Sequence, residues 1–418
     1  MEAMEHLVGA FDVHKRDVVC HVLGIFLDEE KKIVAKTLAV RRFSRSLDGL
    51  GELAEFLREM GVKIVVMETT GHYCLKVYSF MEAEGFDAWL VPARDNKPSG
   101  GKKTDETDAE RLARRFVAGA VRAYKLPSDR KIRALRRYVR TRKAMVEDLA
   151  TWKNRVIRIF DEACIDIKGV FSSLGKGALV FLEGYVAGKD LDSIIERWPR
   201  LAKKKDKLLA IMRTRLDEAS IASLRSALRV IRVLMREIEA LDRRIENILV
   251  EFGREVELLL TVPGVGLKSC AVILAEIANI RRFSSAKKLA SYAGLVPTVY
   301  KSGDKIVYGR LRSECNKRLR WILYEVALNA IKVSPWLRSF YERLVRRGKA
   351  KKQALIAVAR KIAVGIWHIL TKRVPWKEAI RRNVRMPRKR RVAGLTVREA
   401  MRVLREAGYI VMRSQGRS

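Results

Sequence analysis

The chain has 418 residues with 86 Lys and Arg against 48 Asp and Glu, a formal charge of +38, and 48% hydrophobic residues. That composition excludes a chain disordered throughout, and the length predicts two or three domains, each with a core. Five scattered cysteines without a CxxC pair exclude a disulfide framework or a cysteine-based zinc site and fit a reducing compartment. The apolar runs fall short of the ~20 residues a membrane span needs, and the N-terminus shows no signal-peptide pattern, so a cytoplasmic protein without membrane contact is expected.

The charge is unevenly placed. Residues 1–110 carry 15 Lys and Arg against 20 Asp and Glu, so the remainder holds a surplus of 43 positive charges. A cationic body is complementary to a polyanion such as DNA or RNA, because each phosphate neutralised releases condensed counterions. Carboxylates kept in one acidic segment of such a chain suit the binding of divalent metal ions; a merely solvated basic protein is the alternative.

Residues 7–13, 18–24 and 32–40 read as three strands separated by polar turns. A helix follows over 47–60, a buried strand over 63–68, a helix over 74–84 and a strand over 87–91. The stretch PARDNKPSGGKKT is loop by composition, with a helix starting near Thr104. The order βββαβαβα predicts an α/β unit with a mixed sheet over 1–127. Residues 128–254 read as a helical connector. In it Ile221, Leu224, Leu228, Ile231, Leu234, Ile238, Leu241, Ile245 and Ile248 recur at heptad spacing, as in a coiled coil or dimerising hairpin, or in an ordinary helix packed on its own chain. Residues 255–375 read as a second, mainly helical unit, interrupted by Pro263-Gly264-Val265-Gly266 and by a loop region over 294–308. Residues 376–418 form a basic tail with the run RMPRKRR.

Four acids stand out. Asp12 is an ionisable group inside a strand otherwise patterned for burial, where it must be paired, metal-bound or at a wet strand end. Glu68 ends the fourth strand. Asp105 and Asp108 lie three apart, on one face of the following helix. Singly, each has a structural reading, as a helix N-cap, first-turn acid or ion-pair partner. As a set they form a hard oxygen site for Mg²⁺ or Mn²⁺, of the kind that stabilises both oxygens of a phosphoryl displacement.

The order Asp12, Glu68, Asp105, Asp108 on this unit resembles the RNase H-like (RuvC-like) DEDD domain of insertion-sequence transposases of the IS110 and IS1111 group. FDVHK, METTGHY and KTDETDA carry the likeness. VPGVGLKSCAVILAEI, RFSSAKKLASYAGLVPTVYKSGD and RGKAKKQALIAVARKIA extend it to the second unit. The resemblance implies a RuvC-like N-terminal domain, a helical coiled-coil middle and a mainly α C-terminal serine domain. It also implies a serine nucleophile, which maps onto Ser302, with Ser269, Ser284, Ser285 and Ser291 as neighbouring competitors. Its further implications are donor and target DNA as substrates, a noncoding bridge RNA as guide, and assembly into dimers or tetramers with composite active sites.

Covalent catalysis by serine conserves bond energy for rejoining strands. Cys315 departs from the family pattern, which has Gly before Asn316; Asn316, Lys317, Arg318 and Arg320 remain expected phosphate contacts. Pro263-Gly264-Val265-Gly266 resembles a helix-hairpin-helix turn whose amides meet a phosphate, or a purely structural hairpin. The expected activity is strand cleavage and rejoining. The rivals are a Holliday-junction-type nuclease that needs no serine, and a non-catalytic nucleic-acid-binding protein.

Overall fold

A computed structural model of the chain describes residues 4–27, 33–69, 73–96, 108–127, 129–214, 216–302, 305–311 and 315–378. The chain divides into two compact units, residues 1–128 and 129–418.

In the first unit β1 (Met4–Val13), β2 (Asp17–Leu27) and β3 (Ile33–Ser44) form an antiparallel meander. Helix α1 (Leu47–Glu59) leads to β4 (Ile64–Thr69), which runs parallel to β1. Helix α2 (Cys74–Ala83) then leads to β5 (Asp87–Pro92), parallel to β4. The sheet order is β3-β2-β1-β4-β5, and with α3 (Asp108–Val117) the unit has the βββαβαβα order expected of an RNase H-like domain. The expected start of α3 near Thr104 lies outside the described residues.

Alternation along the strands assigns the two faces. Phe11 and Val13 of β1 and Val65 and Met67 of β4 pack with Leu50, Leu53 and Leu57 of α1 and Val77 and Tyr78 of α2. The opposite phase, Val8 and Ala10 with Val66 and Val91, packs against Ala109, Leu112 and Ala113 of α3. Ser46 caps α1, its hydroxyl accepting from the Gly49 amide at 3.1 Å.

The second unit opens with α4 (Arg130–Glu162) and continues through α5 (Lys176–Val186), α6 (Leu191–Arg197), α7 (Lys205–Arg213) and α8 (Glu218–Glu251). Ion pairs Lys131–Glu251 and Arg142–Asp242 set α4 and α8 antiparallel. The heptad stripe faces this chain's own core: Leu224, Leu228, Ile231, Ile238, Leu241 and Ile245 are buried within the unit. Of the two readings of that stripe, the one packed on its own chain is the one seen.

Then come α9 (Gly253–Leu260), α10 (Leu267–Ile277), α11 (Ala286–Tyr292), β6 (Pro297–Ser302), β7 (Lys305–Leu311), α12 (Lys317–Val333), α13 (Pro335–Arg346) and α14 (Lys351–Lys372). The region expected as loop over 294–308 is thus largely a β-hairpin, with Ser302 paired to Lys305. Two cores fill the unit. One gathers Val156, Phe160, Phe181 and Leu224. The other gathers Leu259, Leu274, Leu323 and Ile362 with Ile132 and Leu135 of α4 and Ile245 and Leu249 of α8, so residues of the expected connector contribute to both. Helix α14 is long and apolar enough to cross a membrane by length and composition, and its Val358, Ile362, Ile366 and Ile369 lie in that second core.

Candidate active site

Register brings two of the four acids together. Phe11 pairs with Met67 across the parallel β1 and β4, so the next residues, Asp12 and Glu68, stand side by side. They lie at the carboxyl ends of their strands and in the phase of Ala10 and Val66, which is the α3 face. Outside the carboxyl ends of parallel strands is where open α/β sheets take their ligands. Asp108 is the first residue of α3, where the macrodipole favours an acid.

Each acid has a distinct environment. The Asp12 carboxylate is about half exposed and lies 3.3 Å from Nε2 of His14. Asp108 is exposed and pairs through its carboxylate with the buried Arg111 one turn on. Glu68 is half-buried, and its pKa is raised from the usual carboxylate range. Burial is the first cause, and the charges of Asp108 and Asp12 add to it, against the Asn96 hydrogen bond and Arg111, which lower it.

Two residues that sequence reasoning missed tie the set together. Asn96 is 4% exposed, and its Nδ2 donates to Oε2 of Glu68 and to the carbonyl of Asp108, both at 3.2 Å. The Asn96 carbonyl accepts from Nε of Arg111 at 2.8 Å. Its Oδ1 is buried with no hydrogen-bond partner among the described residues. Arg111 was legible as the i+3 partner of Asp108; Asn96 lies in a segment whose composition reads only as loop.

Asp105 lies outside the described residues. Among the described residues no group of three or more His, Cys, Asp or Glu side chains is close enough to hold a metal ion, since Asp108 turns to Arg111 and Asp12 to His14. The donor chemistry nevertheless fits a hard divalent cation: these are carboxylate oxygens, and the charges of Asp108 and Asp12 add to burial in raising the pKa of Glu68.

In the second unit Ser302 is the last residue of β6. Of its competitors, Ser285 caps α11, accepting from the Lys288 amide, and the Ser269 hydroxyl is engaged with both backbone groups of Gly266. Tyr292, before the hairpin, and Asn316, after it, meet in one polar cluster around the buried Glu276. The Asn316 amide donates to the Tyr292 carbonyl at 2.8 Å, and its side chain caps α12 at Leu319. Asn316 Nδ2 also donates to Oε2 of Glu276 at 2.8 Å and to the Tyr292 hydroxyl at 3.0 Å.

Glu276 is fully buried and accepts a bidentate pair from Arg140, both bonds at 2.9 Å. Burial alone would raise its pKa, but the bonds from Arg140 and Asn316 and the charge of Arg136 win and hold it below the usual range. Asn316, expected as a phosphate contact, is therefore committed to this cluster. Gly264 sits at φ +81°, and a Cβ there would come within 2.6 Å of the Val326 carbonyl oxygen and the Ala330 nitrogen, so the α9–α10 turn is packed directly on α12.

Comparison with known proteins agrees in both units. A family profile described as a transposase, of the DEDD type of IS110, matches residues 9–165. A second, described as the transposase IS116/IS110/IS902 family, matches residues 256–342. The uncharacterized 44.8 kDa protein of insertion element IS116 from Streptomyces clavuligerus is 26% identical over 76% of this chain and 85% of its own length. The IS110 43.6 kDa protein of Streptomyces coelicolor and the pilin gene-inverting protein of Moraxella bovis are each 34% identical, with matches spanning only 34% and 41% of their own lengths. Thermus thermophilus RuvC aligns over 28% of this chain and 99% of its own, at 11% identity and a TM-score of 0.22. With the two profiles matching in order, the first over residues 9–165 and the second over residues 256–342, the chain belongs to the IS110/IS116 family of insertion-sequence transposases.

Proposed function

We propose that this chain cleaves and rejoins the DNA strands of an insertion sequence through a covalent serine–DNA linkage. The observation that carries the reading is the register that sets Asp12 beside Glu68 at the strand ends, with the charges of both Asp12 and Asp108 acting on Glu68. Asp12, Glu68, Asp105 and Asp108 would hold Mg²⁺ or Mn²⁺, and bound there the cations would supply charge stabilisation for phosphoryl transfer. Ser302 attacks the phosphodiester: a serine–phosphorus ester forms, the strand's phosphorus–oxygen bond breaks, and the hydroxyl proton passes to the leaving oxygen. The number of phosphate esters is unchanged, so the reverse attack by a new strand end needs no external energy source. Engagement of Ser269 and Ser285 in helix capping sets those two apart from the role given to Ser302.

The basic remainder suits both donor and target DNA and a noncoding bridge RNA, since phosphate contacts position either polymer. The setting is the prokaryotic cytoplasm, at the nucleoid, with the protein acting as a dimer or tetramer.

The test mixes the purified chain, its co-purified RNA, Mg²⁺ and DNA carrying the element junction, and looks for protein covalently linked to DNA. The expected result is linkage through Ser302, lost in Ser302→Ala and in each of Asp12→Ala, Glu68→Ala, Asp105→Ala and Asp108→Ala. Cleavage retained by Ser302→Ala with no adduct would identify a RuvC-like nuclease instead.

A further inference from the structure

In the second unit a cleft of about 370 Å³ opens between α5, α6 and α8, lined among others by Lys176, Val180, Arg197, Trp198, Met235 and Arg236. Val180 and Met235 give it apolar surface, the indole of Trp198 gives it an aromatic wall, and the rest is largely cationic. Arg232, also at the cleft, is neutralised by Glu183 at 2.6 Å. Lys176, Arg197 and Arg236 have no ion-pair partner among the described residues, and Glu239 is the one acid of the lining. Elsewhere in the unit arginines are held by carboxylates, as Arg140 is by Glu276 and Arg142 by Asp242. Positive charge is thus left over beside an aromatic ring.

That ring is fixed in place. The Trp198 amide donates to the carbonyls of Ile194 and Ile195, and its own carbonyl accepts from Leu201. The indole edge lies so close to Gly177 that a Cβ there would stand 2.8 Å from Nε1. Glycine is a poor helix former, and the indole explains its place in the first turn of α5. The N-cap of that helix, Gly175, offers no side chain to its first amides, which leaves the positive end of the helix beside Lys176.

A rigid aromatic wall, apolar surface and unpaired cations are complementary to a group with a π-face at one end and a phosphate at the other. Every nucleobase has such a face, and stacking on an aromatic side chain tolerates any sequence. The volume falls at the lower end of the range for small-ligand clefts, about 300–1,000 Å³, and suits one nucleotide. We propose that this cleft binds a single unpaired nucleotide of a nucleic-acid strand, its base against Trp198 and its phosphate toward Lys176, Arg197 and Arg236. The inference rests on the chain acting on nucleic acid, and is independent of the acid face and of Ser302.

Fluorescence anisotropy on the full chain tests it with four labelled probes: a fully paired DNA duplex, the same duplex with one unpaired nucleotide, and an RNA hairpin with and without a one-nucleotide bulge. The unpaired nucleotide is expected to tighten binding about 5- to 150-fold, the span of base–aromatic stacking. The pair that shows the gain identifies DNA or RNA as the source strand. Trp198→Ala removes the gain and Trp198→Phe keeps much of it. Arg197→Gln with Arg236→Gln, both at exposed positions, lowers the salt dependence by about 0.7–0.9 in log–log slope for each phosphate that is no longer neutralised. Equal binding of paired and bulged probes in both polymers overturns the proposal. So does a gain that survives Trp198→Ala. Absence of salt-dependent binding to all four probes would instead overturn the nucleic-acid reading itself.

Discussion

Two glutamates, one in each unit, occupy opposite company. Glu68 stands among carboxylates, and burial together with the charges of Asp108 and Asp12 pushes its pKa up. Glu276 is more deeply buried, yet the Arg140 fork, Asn316 and Arg136 hold its pKa down. A carboxylate whose neighbours share its sign is destabilised until a cation arrives, which is the state expected of a binding site. One caged by guanidinium groups is already satisfied and acts as structure. The contrast separates the two roles without reference to sequence position.

Removing the caged carboxylate should have the largest effect on stability. Glu276→Gln leaves two guanidinium groups facing a neutral amide and is expected to destabilise the second unit by about 3–5 kcal/mol, read from hydrogen exchange of the α10 and α12 amides along a urea titration. The folded pKa of Glu276 lies below its ordinary value near 4.5. Its stabilisation is therefore complete above about pH 4.5 and is lost as pH falls through the lowered folded value, so the variant should show a shallower acid limb. Asn316→Ala comes next, at about 1–3 kcal/mol, because it removes an N-cap and two partly buried hydrogen bonds together. An unchanged acid limb in Glu276→Gln would remove one side of the comparison.

Much of this was legible. Runs of Val, Ile and Leu marked the strands and their succession along the chain, though not their order in the sheet, and Asp12 is found by asking why an ionisable group sits in an apolar strand. Glu276 passes the same test in Leu274-Ala275-Glu276-Ile277 but is harder to see, because a helix does not alternate its faces residue by residue. What local pattern does not carry is partner choice: the α8 stripe is equally consistent with a second copy and with α4, and only the fold decides. The β6–β7 hairpin was missed although Gly303-Asp304 is a two-residue turn signal between Val- and Tyr-containing segments. Asn96 acts through hydrogen bonds to groups 12 and 28 residues away, and no periodicity reports such a bridge.

Asn96→Ala takes the bridging amide from the acid face while also removing its unpaired Oδ1. The two effects oppose each other, so a modest loss of about 1 kcal/mol is expected in thermal melts. Strand cleavage should fall further than stability does, because Glu68 and the first residue of α3 lose the group that holds them in register.

The smallest effect on stability should fall on the other glutamate. Glu68→Gln removes a charge that its neighbours repel, so metal-free protein in chelator is expected to melt within about 0.5 kcal/mol of the parent, or above it, while DNA linkage is abolished. The pH dependence has the reverse sign to that of Glu276. With its folded pKa raised above the ordinary value near 4.5, Glu68 opposes folding when ionised, and that penalty is relieved as pH falls through the raised folded value and is gone below about pH 4.5. Glu68→Gln should therefore flatten a rise in stability toward acid, where Glu276→Gln flattens a fall. A loss of about 2 kcal/mol or more in Glu68→Gln, with DNA linkage intact, would make Glu68 structural like Glu276 and leave the acid face without a claim to chemistry.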